Sequence, residues 1–304
     1  MDASRYISRR DSYKFVWAGG LLYFIAACTG NPTIPHEDDR HVITVSILPQ
    51  KYFVERIGRE RVRVEVLVGP GESPITYEPK PSQLKGLSVS TLYFRIGVPF
   101  EEAWMRRLAP LLKDTPVIDI SEGIERRSLG KEQVHVDHSH VQTLDPHTWL
   151  SPRLGKQLAR AVCDALCRMD PKGTSTYQAN LSEFLADIEV LDEDLSNALS
   201  GIDHRAFLVF HPSWGYFADA YGLHQVSVEV GGQEPSAAEL TRCVRTARDE
   251  GIRVIFAQPE FDVRKAQIIA NAIDGEVILV SPLDEDWLQN LRRLGKTLSR
   301  VLRE

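Results

Sequence analysis

The stretch from Asp170 to Ser200 constrains this chain more than any other. Tyr177, Leu181, Phe184, Ile188, Leu191, Leu195 and Leu199 recur at intervals of three and four, which lines one apolar stripe along a helix. Asp187, Glu189, Asp192, Glu193 and Asp194 fall off that stripe and are expected to face water. Asp170 suits a helix cap and Pro171 the first turn, where a missing N–H is no loss. No glycine or proline interrupts Thr174 to Leu199, roughly 39 Å of helix at the standard rise. A strut of that length must be covered by other elements along a whole side.

The flanking sequence supplies them. Before the strut, apolar β-branched runs at Val42–Ile47, Val62–Val68, Leu92–Ile96 and Val117–Ile120 alternate with helical stretches near Pro49–Ile57, Pro81–Leu87 and Phe100–Leu112. After it, Phe207–Phe210, Val226–Val230, Val254–Ala257 and Val277–Val280 repeat the pattern. Such alternation indicates α/β lobes, each with a mainly parallel sheet flanked by helices. The expected organisation is an N-terminal lobe over 41–169, the linking helix over 170–200 and a C-terminal lobe over 201–304. No convincing sequence repeat relates the lobes. The last segment, Trp287 to Leu302, reads as an amphipathic helix capping the second lobe.

The first 28 residues read as an export signal. Arg5, Arg9, Arg10 and Lys14 precede a thirteen-residue apolar run, Phe15–Ala27, too short to span a bilayer comfortably. Residues 29–40 read as a tether. Without the first 28 residues, which hold four basic and two acidic side chains, a chain of 36 basic and 42 acidic residues carries a formal charge near −8. No basic stripe is present, which argues against nucleic acid as a partner. Cys163 and Cys167, four apart on a helical stretch, and Cys243 read as structural thiols.

In parallel sheets, ligands sit beyond the carboxyl ends of the strands. There the chain places Asp145-Pro146-His147-Thr148-Trp149 in the first lobe and His211-Pro212-Ser213-Trp214, directly after a strand, in the second. Neutral imidazole is the commonest metal ligand, and a histidine from each lobe favours zinc, copper or nickel over magnesium or calcium. His36, His41, His204 and His224 read as surface residues, and Trp149, Trp214 and Trp287 as packing residues.

Several ordered motifs then carry a family resemblance: Gly71-Glu72-Ser73-Pro74-Ile75-Thr76-Tyr77-Glu78-Pro79, Gly97-Val98-Pro99-Phe100-Glu101, Asp145–Pro152, Phe210–Tyr216, Gln233-Glu234-Pro235-Ser236 and Ser281-Pro282-Leu283. Over Val42–Leu302 the sequence is similar to the cluster A-I solute-binding proteins of zinc and manganese ABC transporters, the ZnuA/TroA-like family. Ile25-Ala26-Ala27-Cys28 likewise resembles a lipobox, which implies lipidation at Cys28 and a periplasmic or cell-surface location. The resemblance implies two α/β lobes on one backbone helix, a modest tilt on binding, a monomer, an ABC permease as partner, and no enzymatic turnover. Of the four usual metal ligands it implies His147 and His211, with zinc ahead of manganese or another divalent transition metal. The other two positions depart from the pattern: Ile75 stands where a histidine is usual and Ser281 where an aspartate is usual.

Three readings accommodate that loss. In the first, replacement donors come from Glu229, Gln258 or Glu260 at strand ends, or from His138 and His140 in the short His135–His140 loop. Alternatively the fold holds a non-metal solute or a metal chelate. A zinc hydrolase is the third, although no general base accompanies the histidines.

Overall fold

The computed structural model describes residues 40–129, 144–230 and 232–303. The export signal with Cys28, the tether through Asp39, and His138 and His140 lie outside the described residues. No described helix is long and apolar enough to cross a membrane.

The first lobe runs β1 (His41–Ile47), α1 (Leu48–Gly58), β2 (Val62–Val68), α2 (Pro81–Leu87), β3 (Leu92–Arg95), α3 (Pro99–Leu108) and β4 (Val117–Asp119). Two long helices follow, α4 (Pro152–Met169) and α5 (Thr174–Ala198). The second lobe runs β5 (Ala206–Val209), α6 (Gly215–Tyr221), β6 (His224–Ser227), α7 (Ala237–Asp249), β7 (Val254–Ala257), α8 (Val263–Ala272), β8 (Glu276–Leu279) and α9 (Trp287–Val301). The sheets are ordered β2-β1-β3-β4 and β6-β5-β7-β8, and every pairing is parallel. The two lobes therefore share one topology. In each, the chain reverses direction across the sheet beside its first strand, which puts a crevice between β1 and β3 and another between β5 and β7.

These crevices differ. In the first lobe Gln50 fills the gap: its Oε1 accepts from Ser46 and Ile47 N–H at 3.0 and 3.1 Å, and its Nε2 donates to the Phe94 carbonyl. The Glu101 carboxylate accepts from Ile96 and Gly97 N–H, and burial pushes it up to about 7. Gly97 sits at φ 86°, a conformation that favours glycine, with the Arg126 guanidinium against it. The second crevice keeps its polar groups for other work, described below.

The sheet of the second lobe alternates as period-two strands must. Leu208, Val226, Ile255 and Ala257 point to a core shared with Cys243 and Ala247 of α7 and with Ala266, Ile269 and Ala270 of α8. Phe207, Val209, Val254 and Phe256 point the other way, into a core continuous with the first lobe, α5, α6 and α9.

The strut, α5, is 25 residues, about 37 Å, and its stripe is buried as expected at Tyr177, Phe184, Ile188, Leu191 and Leu195. Its entry is more elaborate than a simple cap. Asp170 caps a tight turn, Pro171–Gly173, and α5 begins only after it. The Asp170 carboxylate also accepts from Arg61 at 2.6 and 2.9 Å and from the Tyr177 hydroxyl at 2.9 Å. Burial opposes its ionisation, but these donors outweigh burial and hold it below the usual carboxylate range.

The acids flanking the stripe do more than face water. Asp187 pairs with Arg56 of α1, Glu189 with Lys156 of α4 and Asp194 with Arg292 of α9. Asp192 is largely covered, between Arg153 and the Tyr221 hydroxyl of α6.

The terminal helix corrects a second expectation. It packs along α5 and drives Trp287 into first-lobe helices rather than capping the second lobe alone. The indole lies 4.9 Å from the Phe53 ring and against Gly155, and donates to the Trp149 carbonyl at 2.6 Å. Trp149 in turn donates to the Pro282 carbonyl at 2.8 Å. The two indoles tie the lobes together reciprocally.

Candidate metal centre

His147 and His211 meet at the junction of the lobes, ring centroids 5.4 Å apart and planes at 73°. Both are almost wholly buried, at 7% and 5% exposure.

His147 lies between β4 and α4, on a segment held at both ends. Ser128 pairs with Leu144, and Asp145 N–H donates to the Arg127 carbonyl at 2.9 Å. On the far side, a tight turn over Thr148–Leu150 leads into α4, whose first turn Ser151 caps. Asp145 aims the ring: its Oδ1 accepts from the His147 backbone N–H at 2.9 Å and bonds Nδ1 at 2.7 Å. The Tyr216 hydroxyl from the second lobe donates to the Asp145 carbonyl and accepts from Arg127 N–H, both at 3.0 Å.

His211 lies one residue beyond Phe210, whose N–H bonds the Phe256 carbonyl of β7 just after β5 ends. Its Nδ1 bonds Glu229 Oε2 at 2.6 Å, and the Phe261 ring stacks on it at 5.4 Å and 30°. The sequence had suggested a strand through Val230. The strand stops at Ser227 instead, and the chain bends so that Glu229 N–H reaches the Phe210 carbonyl and its carboxylate reaches the imidazole.

Each histidine thus gives one nitrogen to a carboxylate. A carboxylate on Nδ1 favours the tautomer with its proton there, leaving the Nε2 lone pair for a cation. Burial, opposed by Asp145, holds His147 below its ordinary range, so it is neutral near pH 7 and able to donate.

Of the remaining candidates among the described residues, Glu229 alone bonds one of the two histidines. Glu229 is the partner that orients His211. Gln258 is buried and donates to the Ser213 hydroxyl at 2.8 Å. Glu260 bonds the Ser281 hydroxyl through Oε1; its Oε2 is buried and has no hydrogen-bond partner among the described residues. Burial raises its carboxyl above the usual range. Ile75 lies in an exposed turn and has no lone pair to offer. Among the described residues, no three His, Cys, Asp or Glu side chains are gathered closely enough to hold a metal ion as they stand. Sequence reasoning missed Asp145 as an orienting group, although its place two residues before His147 was the available signal.

Two parallel-sheet lobes on a long helix, with one oriented imidazole from each lobe at their junction, define a metal-binding solute-binding protein. Residues 43–301 match the family described as ZnuA, zinc-uptake complex component A, periplasmic. The chain belongs to that family. A crystal structure of a ZnuA deletion mutant (138–173) with zinc bound superposes with a TM-score of 0.81 at 40% identity, covering 88% of this chain and 99% of that one. The high-affinity zinc uptake system protein ZnuA of Bacillus subtilis is 27% identical, over 91% of this chain and 89% of its own. The manganese-binding lipoprotein MntA of Halalkalibacterium halodurans is 28% identical over 78% of each chain.

Proposed function

We propose that this chain captures zinc outside the cytoplasm through His147 and His211 and hands it to an ABC permease, without catalytic turnover. The observation that carries this reading is the oriented imidazole pair, each ring tied through Nδ1 to its own carboxylate. Such carboxylate–histidine pairs fix ring orientation and raise ligand basicity at metal sites. Two imidazoles suit a borderline cation such as zinc better than manganese, which prefers oxygen donors. The family and the zinc-named relatives support the same cargo. Anchoring through a lipid on Cys28 and a monomeric state complete the reading.

Calorimetric titration of the metal-stripped chain with zinc and manganese, beside His147→Ala and His211→Ala, tests it. One zinc site, lost in both variants and weaker for manganese, is the expected result. Zinc binding that survives both substitutions would overturn it.

A further inference from the structure

Resting on that reading, we propose that Glu260 is the third protein ligand, the carboxylate that stands in for the aspartate missing at Ser281. The two imidazole donors share a design: one atom is tied to an orienting partner and another is left over. Glu260 repeats it. Its Oε1 is held by the Ser281 hydroxyl, and its Oε2 is buried without a partner among the described residues. A buried carboxylate oxygen left unpaired is costly unless something completes it.

Ser281 is itself fixed. Its Oγ accepts from Leu283 N–H at 3.0 Å, so its own proton is directed to Glu260. Its carbonyl accepts from Asn290 at 2.7 Å, and the neighbouring Pro282 carbonyl is held by Trp149. The serine therefore takes the orienting role for Glu260 that Asp145 and Glu229 take for the histidines.

The β7 loop carrying Glu260 is wrapped on His211. Gln258 reaches Ser213, two residues beyond the histidine, and Phe261 stacks on its ring. Glu260 lies between Gln258 and Phe261 in sequence. The three donors are not gathered closely enough to coordinate as they stand, so binding draws the Gln258–Phe261 loop toward the imidazoles. The chemistry favours that movement, because a carboxylate bound directly to a divalent ion neutralises charge in a buried site more effectively than Asp145 and Glu229, which act only through the imidazoles. Two histidines and a glutamate are a known zinc set, with a fourth position open to water. An open position suits a cargo that must leave.

The test is zinc titration of the metal-stripped chain with Glu260→Gln, which keeps the shape and the acceptor for Ser281. Affinity is expected to fall by more than about 100-fold, and by about tenfold in Ser281→Ala, the usual size of an outer-shell effect. Glu260→Gln combined with Ser281→Asp should regain tight binding. Visible absorption of the cobalt-loaded forms should change between the parent and Glu260→Gln. Unchanged zinc affinity and cobalt spectrum in Glu260→Gln would overturn the inference while leaving the histidine site standing, provided His147→Ala and His211→Ala abolish binding in the same titration. Binding that persists in those two would remove the underlying reading. A metal-free melting midpoint equal to the parent's shows that Glu260→Gln is folded.

Discussion

Replacing Asp145 separates charge from geometry at the proposed metal site. Its Oδ1 serves two donors, the His147 backbone N–H at 2.9 Å and Nδ1 at 2.7 Å. A backbone N–H can only donate, so an asparagine here has to place its carbonyl oxygen at that position. Asp145→Asn therefore keeps the Nδ1–H tautomer and loses only the charge-assisted part of the bond, roughly half its strength. Asp145→Ala loses both contacts and releases the ring. Loss of an outer-shell partner costs about 10–100-fold in metal affinity, about 1.4–2.8 kcal/mol. Asp145→Ala should fall at the upper end and Asp145→Asn at or below the lower. The assay is competition for zinc against a chromophoric chelator, with melting midpoints as a control for folding. Equal losses in the two variants, or none in Asp145→Ala, would refute the reasoning. Glu229→Gln lacks the backbone donor that fixes the amide, so its NH₂ can face His211 Nδ1 and push the ring proton onto Nε2; it should bind zinc worse than Asp145→Asn in the same assay.

Other consequences concern stability and reactivity. Gly155→Val forces a side chain into the Trp287 ring, where even a Cβ would come within 2.9 Å; overpacking of this kind costs about 1–3 kcal/mol, read as a lower denaturation midpoint. Arg61→Met should destabilise the chain at pH 7 by about 1.5–3 kcal/mol, the worth of hydrogen bonds to a charged group. Asp170 titrates below its unfolded value, so its contribution is complete above about pH 4 and fades as pH falls through the folded value. The gap between Arg61→Met and the parent in denaturant titrations should accordingly narrow in acid; a gap that widens there would contradict the assignment. Cys163 and Cys243 are buried, and burial pushes their thiols up to about 12 and about 11. Mass spectrometry after alkylation should find both unmodified in the native chain and modified once it is unfolded, because the thiolate is the reactive form.

Much of this was legible in the sequence, for physical reasons. β2 and β7 begin and end where their β-branched runs do, and the α5 stripe is buried except at the partly exposed Leu181. His211 stood out as a candidate because it follows a strand end, where parallel sheets present chemistry, and His147 because its loop follows the strands of the first lobe. What escaped was pairwise. Asp192 sits off the apolar stripe, and nothing local shows that Tyr221 and Arg153 close over it. Trp287 belongs to an amphipathic helix whose period does not say which lobe it enters. Glu260 and Ser281 are 21 residues apart in sequence and adjacent in space because β7 and β8 pair with Ala257 opposite Leu279. Register, which sets that meeting, is a property of two strands together and cannot be read from either alone.

The placement of Trp287 also bears on the order in which the chain is made. Its slot among Phe53, Phe184 and Gly155 belongs to elements that emerge early, while the indole arrives on the final helix of 15 residues. Until those residues are free, the first lobe keeps an aromatic gap open and the Trp149 carbonyl unmatched. A chain emerging from its N-terminus therefore leaves this first-lobe slot unfilled until the residues of α9 are available to enter it. Loss of the final helix would leave that gap open for good, and would injure the lobe farthest from it in sequence.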